Sequence, residues 1–303
     1  MKKNYRVILF AAKKMQYHEF LTLKTICQSK EIEIPAIFID TTEYKITLRN
    51  GFGEAKRRIG RVRSLILFLT YIIKTILNRE NPRIVIGSQK ERALTNNGNP
   101  LEFFGTKKSK KLVDIKELLL YHKGDHIYTD RIDSPKMIKK LREYKPDLIF
   151  RYGFGIIPKK ILDIPKDGVI GFHHGDLTKY RGGVPCVWEI YNNEEKIGVT
   201  VQCLREKIDS GEIILQRFYK IKDDESINEI VDRIFLDSVD MGLKAILKMK
   251  NPDFKPVQPK KIGKFYTLPS TKEWLKLHCI NLSRIIKKFT KNMKGLKKVY
   301  ENM

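Results

Sequence analysis

With 303 residues, of which 42% are hydrophobic, the chain has material for one large α/β domain with an appendage or for two ordinary domains, which excludes an intrinsically disordered polypeptide. Its net charge of +25, from 60 Lys and Arg against 35 Asp and Glu, attracts polyanions such as nucleic acid, acidic lipid or phosphorylated substrates without choosing among them. Four cysteines (Cys27, Cys186, Cys203, Cys279) lie far apart, with no C-x-x-C pair and no histidine at metal-ligand spacing, so they read as reduced thiols, and no metal site is expected.

The apolar run Val7 to Ala12 is too short for the core of a signal peptide and is followed by Lys13 and Lys14. It reads as a first β-strand, and the expected compartment is the cytoplasm. A helix from about His18 to Gln28 leads to a second strand, Ile34 to Ile39, giving a β-α-β opening. The segment Lys56 to Leu77 starts with five basic residues and becomes apolar from Val62. It is shorter than the roughly 20 apolar residues of a membrane span. It reads as a buried helix or as a helix lying on an anionic membrane surface, which would make the protein membrane-associated. Arg83 to Gly87 reads as a strand, Ser88 to Gly98 as a polar loop and Lys107 to Lys111 as a basic cluster, so residues about 52–112 resemble an insertion.

From Ile127 the pattern sharpens. A short extended piece ends at Thr129, a helix opened by Ser134-Pro135 runs to Glu143, and Pro146 to Gly155 is a strand ending in a glycine turn at Gly153-Phe-Gly155. A short helix follows between Ile156 and Pro165, then a strand from Gly168 that breaks into a loop at His173. Strand ends of this kind are where open α/β sheets hold their ligands. The fold class expected is α/β: a Rossmann-like, mostly parallel sheet with helices on both faces and a helical, basic C-terminal extension. Residues 1–222 form the expected catalytic domain and 223–303 the extension.

Three stretches carry the chemistry. They are Phe172-His-His-Gly-Asp-Leu-Thr-Lys-Tyr-Arg-Gly-Gly183, Gly198-Val-Thr-Val-Gln202 and Asp209-Ser-Gly-Glu-Ile-Ile-Leu-Gln216. A histidine on one strand-end loop and an aspartate on the next make a general acid/base pair that can titrate near neutral pH. Gly211 suits a close backbone approach.

The order of these motifs, with the preceding Pro146-Asp-Leu-Ile and the Gly153-x-Gly turn, resembles the 10-formyltetrahydrofolate-dependent formyltransferases over about Pro146 to Gln216. The resemblance implies transfer of a formyl group from 10-formyltetrahydrofolate to an amine, with no metal. It implies that His173 and Asp209 are the family's histidine and aspartate, with Asp209 orienting His173 and accepting a proton from the attacking nitrogen. The family's asparagine position is Gly171, so a donor to the formyl oxygen is missing, and His174 or a backbone N–H near Gly171 is the expected replacement. Folate contacts are expected at Gly153, Gly155, Ile170, Gly171, Arg205 and Ile208. Asp176, Lys179, Tyr180 and Arg181 would form the substrate loop, with Tyr180 and Arg181 knitting it to its neighbours and Trp188 in the core.

Glu225 to Met249 repeats apolar residues every three or four and reads as one amphipathic helix. After a strand-like Gly263 to Pro269, the tail from Thr271 is helical and basic, and covering the domain is its expected role. The β-barrel that methionyl-tRNA formyltransferases carry after the catalytic domain does not fit this pattern. The expected acceptor is therefore a small, phosphorylated or nucleotide-linked amine, an amino-sugar nucleotide foremost. A methionyl-tRNA formyltransferase-like enzyme acting on tRNA is the alternative. A non-catalytic formyltransferase fold and a basic nucleic-acid- or membrane-binding protein are two others.

Overall fold

The computed structural model describes residues 5–44, 86–87, 111–267 and 269–301. The segment 56–77, the loop 88–98, the lysines 107–110 and nearly all of the expected insertion lie outside the described residues.

The elements in chain order begin with β1 (Val7–Ala12), β2 (Lys14–Gln16), α1 (Tyr17–Cys27), β3 (Ala36–Asp40), β4 (Glu43–Tyr44), β5 (Ile86–Gly87), β6 (Leu112–Asp114), α2 (Ile115–Leu119) and β7 (Asp125–Thr129). They continue with α3 (Pro135–Glu143), β8 (Leu148–Tyr152), α4 (Lys159–Leu162), β9 (Val169–His173), β10 (Tyr180–Gly182), α5 (Val187–Tyr191), β11 (Lys196–Cys203) and β12 (Ile213–Lys220). Last come α6 (Ile227–Asp237), α7 (Met241–Lys250), β13 (Lys264–Tyr266) and α8 (Thr271–Glu301). The main sheet has seven strands in the order β12-β11-β9-β8-β1-β3-β7. The expected α/β class and mostly parallel sheet are what the chain forms. The chain divides into two compact units, the last break falling within β9 between Val169 and Ile170.

In the first unit β1 pairs in parallel with β3 and with β8, and β3 in parallel with β7. Every residue of β1 is buried, because a central parallel strand is covered on both faces, and this is why Val7 to Ala12 reads as a continuous apolar run. The first helix starts where its cap dictates: the Gln16 N–H donates to Glu19 Oε2 at 2.8 Å, satisfying a helix-end donor. Ser134 Oγ accepts the Met137 N–H with Pro135 in the first helical turn, as the Ser-Pro signal predicts.

In the second unit β11 pairs antiparallel with both β9 and β12. The expected single helix Glu225 to Met249 is two helices, α6 and α7. The break has a physical cause. The Asp237 carbonyl, which would accept an N–H one turn on, instead accepts Tyr219 OH at 3.0 Å and Arg217 Nη1 at 2.9 Å, while Arg217 also grips the Asp240 carboxylate through two bonds of 2.9 Å. Side chains of β12 thus claim the groups that would continue the helix.

The basic tail is one 31-residue helix, α8, packed on the domain through one face. Leu277 is fully buried, Asn281 Oδ1 accepts the Ile227 N–H at 2.8 Å and so caps α6, and Arg284 donates to the Lys222 carbonyl at 2.7 Å. Lys288 pairs with Glu229, and Lys291 with Asp224 at 2.6 Å. The opposite face leaves Leu282, Ile286 and Phe289 exposed. Leu277→Ala is expected to destabilise the protein by about 2–5 kcal/mol through the cavity it leaves. Leu282→Ala should stay within about 0.5 kcal/mol. Denaturant titration of both variants checks the contrast.

Candidate active site

The site is built on the end of β9 and the turn before β12, both in the second unit. The pleat of β9 sends Gly171 and His173 to one face and Phe172 and His174 to the other. His173 is 8% exposed. Its Nε2 lies 2.8 Å from the Tyr180 carbonyl and its Nδ1 3.3 Å from Asp209 Oδ2. A carbonyl and a carboxylate can only accept, so both neighbours of the ring favour its protonated form. Burial alone would lower its pKa, but the facing Asp209 carboxylate, with the Tyr180 carbonyl behind it, holds it above the ordinary 6.5.

Asp209 is correspondingly overdetermined. Its Oδ2 also accepts the Gly182 N–H at 2.8 Å, and its Oδ1 accepts Gln202 Nε2 at 2.8 Å. Burial works against its charge, yet the His173 cation and these donors hold its carboxyl well below the usual carboxylate range. Its backbone sits in the left-handed region at φ 50°, a conformation that costs an L residue of order 1 kcal/mol or more. The loop is locked there by Arg181, whose Nη2 donates to the adjacent Ile208 carbonyl at 2.8 Å and whose guanidinium lies over the Phe265 ring. Gly175 lies so near His173 that a Cβ there would meet Nε2 at 2.5 Å.

The structure brings His173, Asp209 and the box Tyr180-Arg181-Gly182 together. Tyr180 and Arg181 knit the loop as expected, Tyr180 OH donating to Glu194 Oε1 at 2.9 Å, and Trp188 is buried with its Nε1 donating to the Thr267 carbonyl. Lys179 is exposed and paired with Glu194 at 2.8 Å. Asp176 is buried and closes its own turn, Oδ1 accepting the Thr178 N–H at 2.9 Å and the Thr178 hydroxyl at 2.7 Å. His174 is placed elsewhere: its ring stacks on Phe172 at 5.4 Å and lies against Phe235 at 4.4 Å, on the face of β9 opposite His173. That removes its side chain from the position of the missing donor.

Among the expected folate contacts, Ile208 is half-exposed and Arg205 exposed, the latter bound to Glu212 at 2.6 Å. Ile170 is fully buried in the core. Gly171 is buried in β9, opposite Gln202. Gly153 takes φ 82° in the turn after β8, and the Gly155 carbonyl accepts from Arg151 Nε at 3.3 Å, both within the first unit. Gly211 permits the expected close backbone approach. A Cβ there would lie 1.7 Å from the Cys203 carbonyl oxygen, so the close approach it permits is to its own sheet, not to a ligand.

Two residues of the site escaped the sequence reading. Gln202 is buried, directly opposite Gly171, and its orientation is fixed because Nε2 must donate to Asp209 while Oε1 accepts the Gly211 N–H at 3.3 Å. Glu189 is 3% exposed on α5 and interacts electrostatically with His173. The available signals were a glutamine ending the run Gly198 to Gln202 and an acid inside the apolar Val187-Trp-Glu-Ile-Tyr191. Among the described residues no group of three or more His, Cys, Asp and Glu could hold a metal ion. No described helix is long and apolar enough to cross a membrane.

A buried His–Asp pair at the strand ends of an α/β sheet defines an acid/base or oxyanion-stabilising enzyme site. The profile of the formyl transferase family matches residues 86–243, and the chain belongs to that family. It is 30% identical over 190 residues to a methionyl-tRNA formyltransferase of Fusobacterium nucleatum subsp. nucleatum, covering 62% of this chain and 61% of that one. The chain thus spans about three-fifths of that relative's length. Among solved structures it is similar to WlaRD, a sugar 3N-formyl transferase with dTDP and 5-N-formyl-THF, at 14% identity and TM-score 0.49 over 88% of this chain and 70% of that one. It is also similar to HypX from Aquifex aeolicus in complex with tetrahydrofolic acid, at 21% identity and TM-score 0.43 over 56% of this chain and 31% of that one.

The raised His173 pKa means that the pair's stabilisation is full below 6.5 and is lost as pH rises through the raised value. The lowered Asp209 pKa means that it is full above 3.8 and is lost as pH falls through the lowered value. Asp209→Asn should therefore cost about 3 kcal/mol in the window between, and His173 should then titrate below its wild-type value, since burial acts unopposed. Denaturation at several pH values and NMR titration of the imidazole read these two effects. Gly175→Ala should displace the His173 ring, seen as a changed imidazole shift, and destabilise by about 1–3 kcal/mol.

Proposed function

We propose that the protein is an N-formyltransferase that moves a formyl group from 10-formyltetrahydrofolate to the amine of a small nucleotide-linked amino sugar. The observation that carries this reading is the buried His173–Asp209 pair, in which both ring nitrogens face acceptors. In the reaction an uncharged amine attacks the formyl carbon and negative charge develops on the formyl oxygen. An imidazolium N–H aimed at that oxygen stabilises it electrostatically, most strongly in a dry site. His173 Nε2 is held by the Tyr180 carbonyl and Nδ1 faces Asp209. Asp209 orients the ring and maintains its charge. Its carboxylate accepts from Gly182 and Gln202 and faces His173, which holds it ionised.

The carboxamide absent at Gly171 is supplied by Gln202 from the facing strand. One N–H of its Nε2 is committed to Asp209, and the amide lies opposite the small Gly171 on the His173 face. The Arg205 to Ile208 segment beside Asp209 is the proposed folate contact. The choice of a small amine follows the family resemblance, and the described residues after β12 form α6, α7 and α8 with one three-residue strand. A tRNA acceptor is favoured by a different observation, the identity to methionyl-tRNA formyltransferases.

Calorimetric titration with 5-formyltetrahydrofolate is expected to show saturable binding that Asp209→Ala weakens. Turnover with 10-formyltetrahydrofolate is expected on nucleotide-linked amino sugars and absent on methionyl-tRNA; the reverse pattern would establish the tRNA reading. Absence of folate binding in the folded protein would remove the enzyme reading. Gln202→Met should lower kcat by about 10²–10³, and adding Gly171→Asn should restore part of it. A purely structural Gln202 would show no such restoration.

A further inference from the structure

The long helix α8 carries two seams of regular spacing. The one against the domain follows Leu277, Asn281, Arg284, Lys288 and Lys291, in alternating steps of four and three residues. Each of these is buried or bonded to α6 or to the loop before it. A second series, Leu275, Cys279, Leu282, Ile286, Phe289 and Met293, takes the same steps but is displaced by two residues. Two residues turn a helix through about 200°, so this seam runs along the side away from the domain. Cys279 is exposed, and each of the other five is more than half exposed. Apolar residues at alternating steps of four and three, sustained over more than two heptads, form the a/d seam of a two-stranded coiled coil. A helix that only covers a domain needs one apolar stripe, on the side that faces the core.

The distribution of charge decides what fits the exposed seam. A helix lying on an anionic membrane presents lysines beside its apolar face to the headgroups. Here Arg284, Lys288 and Lys291 are turned to the domain and bonded there. The positions that edge the seam are Lys276, His278, Ser283, Ile285, Thr290 and Asn292. Lys276 alone among them carries a fixed charge, and its Nζ is drawn back over the Tyr191 ring, 4.0 Å from the centroid. Two chains of net charge +25 repel one another, so a surface through which copies meet has to keep its edges clear of lysine. The edges of this seam are clear in a protein with 60 Lys and Arg.

We propose that α8 is a self-association surface: the seam from Leu275 to Met293 packs against the same seam of a second copy of this chain, making a two-fold symmetric dimer. A two-fold axis requires that both copies bring the same patch, and a single helix with an a/d seam is such a patch. Pairing removes Leu282, Ile286 and Phe289 from water and leaves the bonds of Asn281, Lys288 and Lys291 to the domain in place, because they lie on the other side of the helix. The inference does not depend on the formyl-transfer reading.

The test is sedimentation velocity of the full-length protein from nanomolar to high micromolar concentration. The wild type should pass from monomer to dimer. Ile286→Lys and Phe289→Lys, made singly, should each raise the dissociation constant at least about 100-fold, since the two-fold axis sets every new lysine in the seam twice. Val257→Lys, at an exposed apolar side chain outside the helix, should leave it within about threefold. At concentrations where the wild type is monomeric, circular dichroism and denaturation of the two seam variants should match it, because the seam is exposed in a single chain. The small effect of Leu282→Ala on unfolding is likewise that of the monomer, and at higher concentration the same change should weaken pairing. Sodium chloride screens the repulsion between copies, so the dimer should hold or tighten as salt rises. A wild type that stays monomeric throughout overturns the proposal, and if that monomer floats with phosphatidylserine vesicles and salt releases it, the seam belongs to a membrane. A dimer that salt dissociates, or that both lysine variants leave intact, overturns it as well.

Discussion

The constraint on which the second unit's organisation depends is the burial of one charged pair, His173 with Asp209. A buried cation and a buried anion are each expensive, and their attraction compensates only when every remaining donor and acceptor is satisfied. The surroundings follow from that requirement. Tyr180 must place its carbonyl on the ring, Gly182 its N–H on the carboxylate and Gln202 its amide on the other oxygen. Arg181 holds the turn that presents Asp209, and β13 pairs with β10 to hold Arg181 in turn, with Arg181 opposite Phe265. Residues distant in sequence are thus specified by two side chains.

The glycines of the loop answer the same demand. Gly175 yields space to the His173 ring, Gly198 to the Asp176 backbone and Gly211 to the Cys203 carbonyl. These are contacts of the protein with itself, so the motif's glycines preserve a tightly wound support for the pair. Among the expected folate contacts, Ile208 and Arg205 are exposed. At Gly171 the strand carries no side chain, and Gln202 on the facing strand lies directly opposite it.

Two carboxyl groups near one histidine divide their labour by environment. Asp209 accepts several donors and is held ionised, while Glu189, buried with a bare oxygen, is held near the point of protonation. Groups of one chemical type are here driven apart in proton affinity by hydrogen bonding on one side and desolvation on the other.

The sequence by itself determined the elements whose signal is local. The apolar run of β1, the Ser134-Pro135 start of α3, the strand leading to His173 and the basic helix α8 are all legible because capping, turn chemistry and periodicity act over a few residues. The ordered motifs likewise bring His173 and Asp209 into one reading. Tertiary structure alone decided the rest. The split of α6 from α7 depends on Arg217 and Tyr219 reaching in from β12, and no periodicity within residues 225–249 encodes it. The exclusion of His174 follows from the pleat of β9 and from Phe235 on α6. The placement of Gln202 follows from its register opposite Gly171, and that of Glu189 from the packing that buries it. Side-chain partners across strands and helices are set by register and burial, which adjacent residues do not carry.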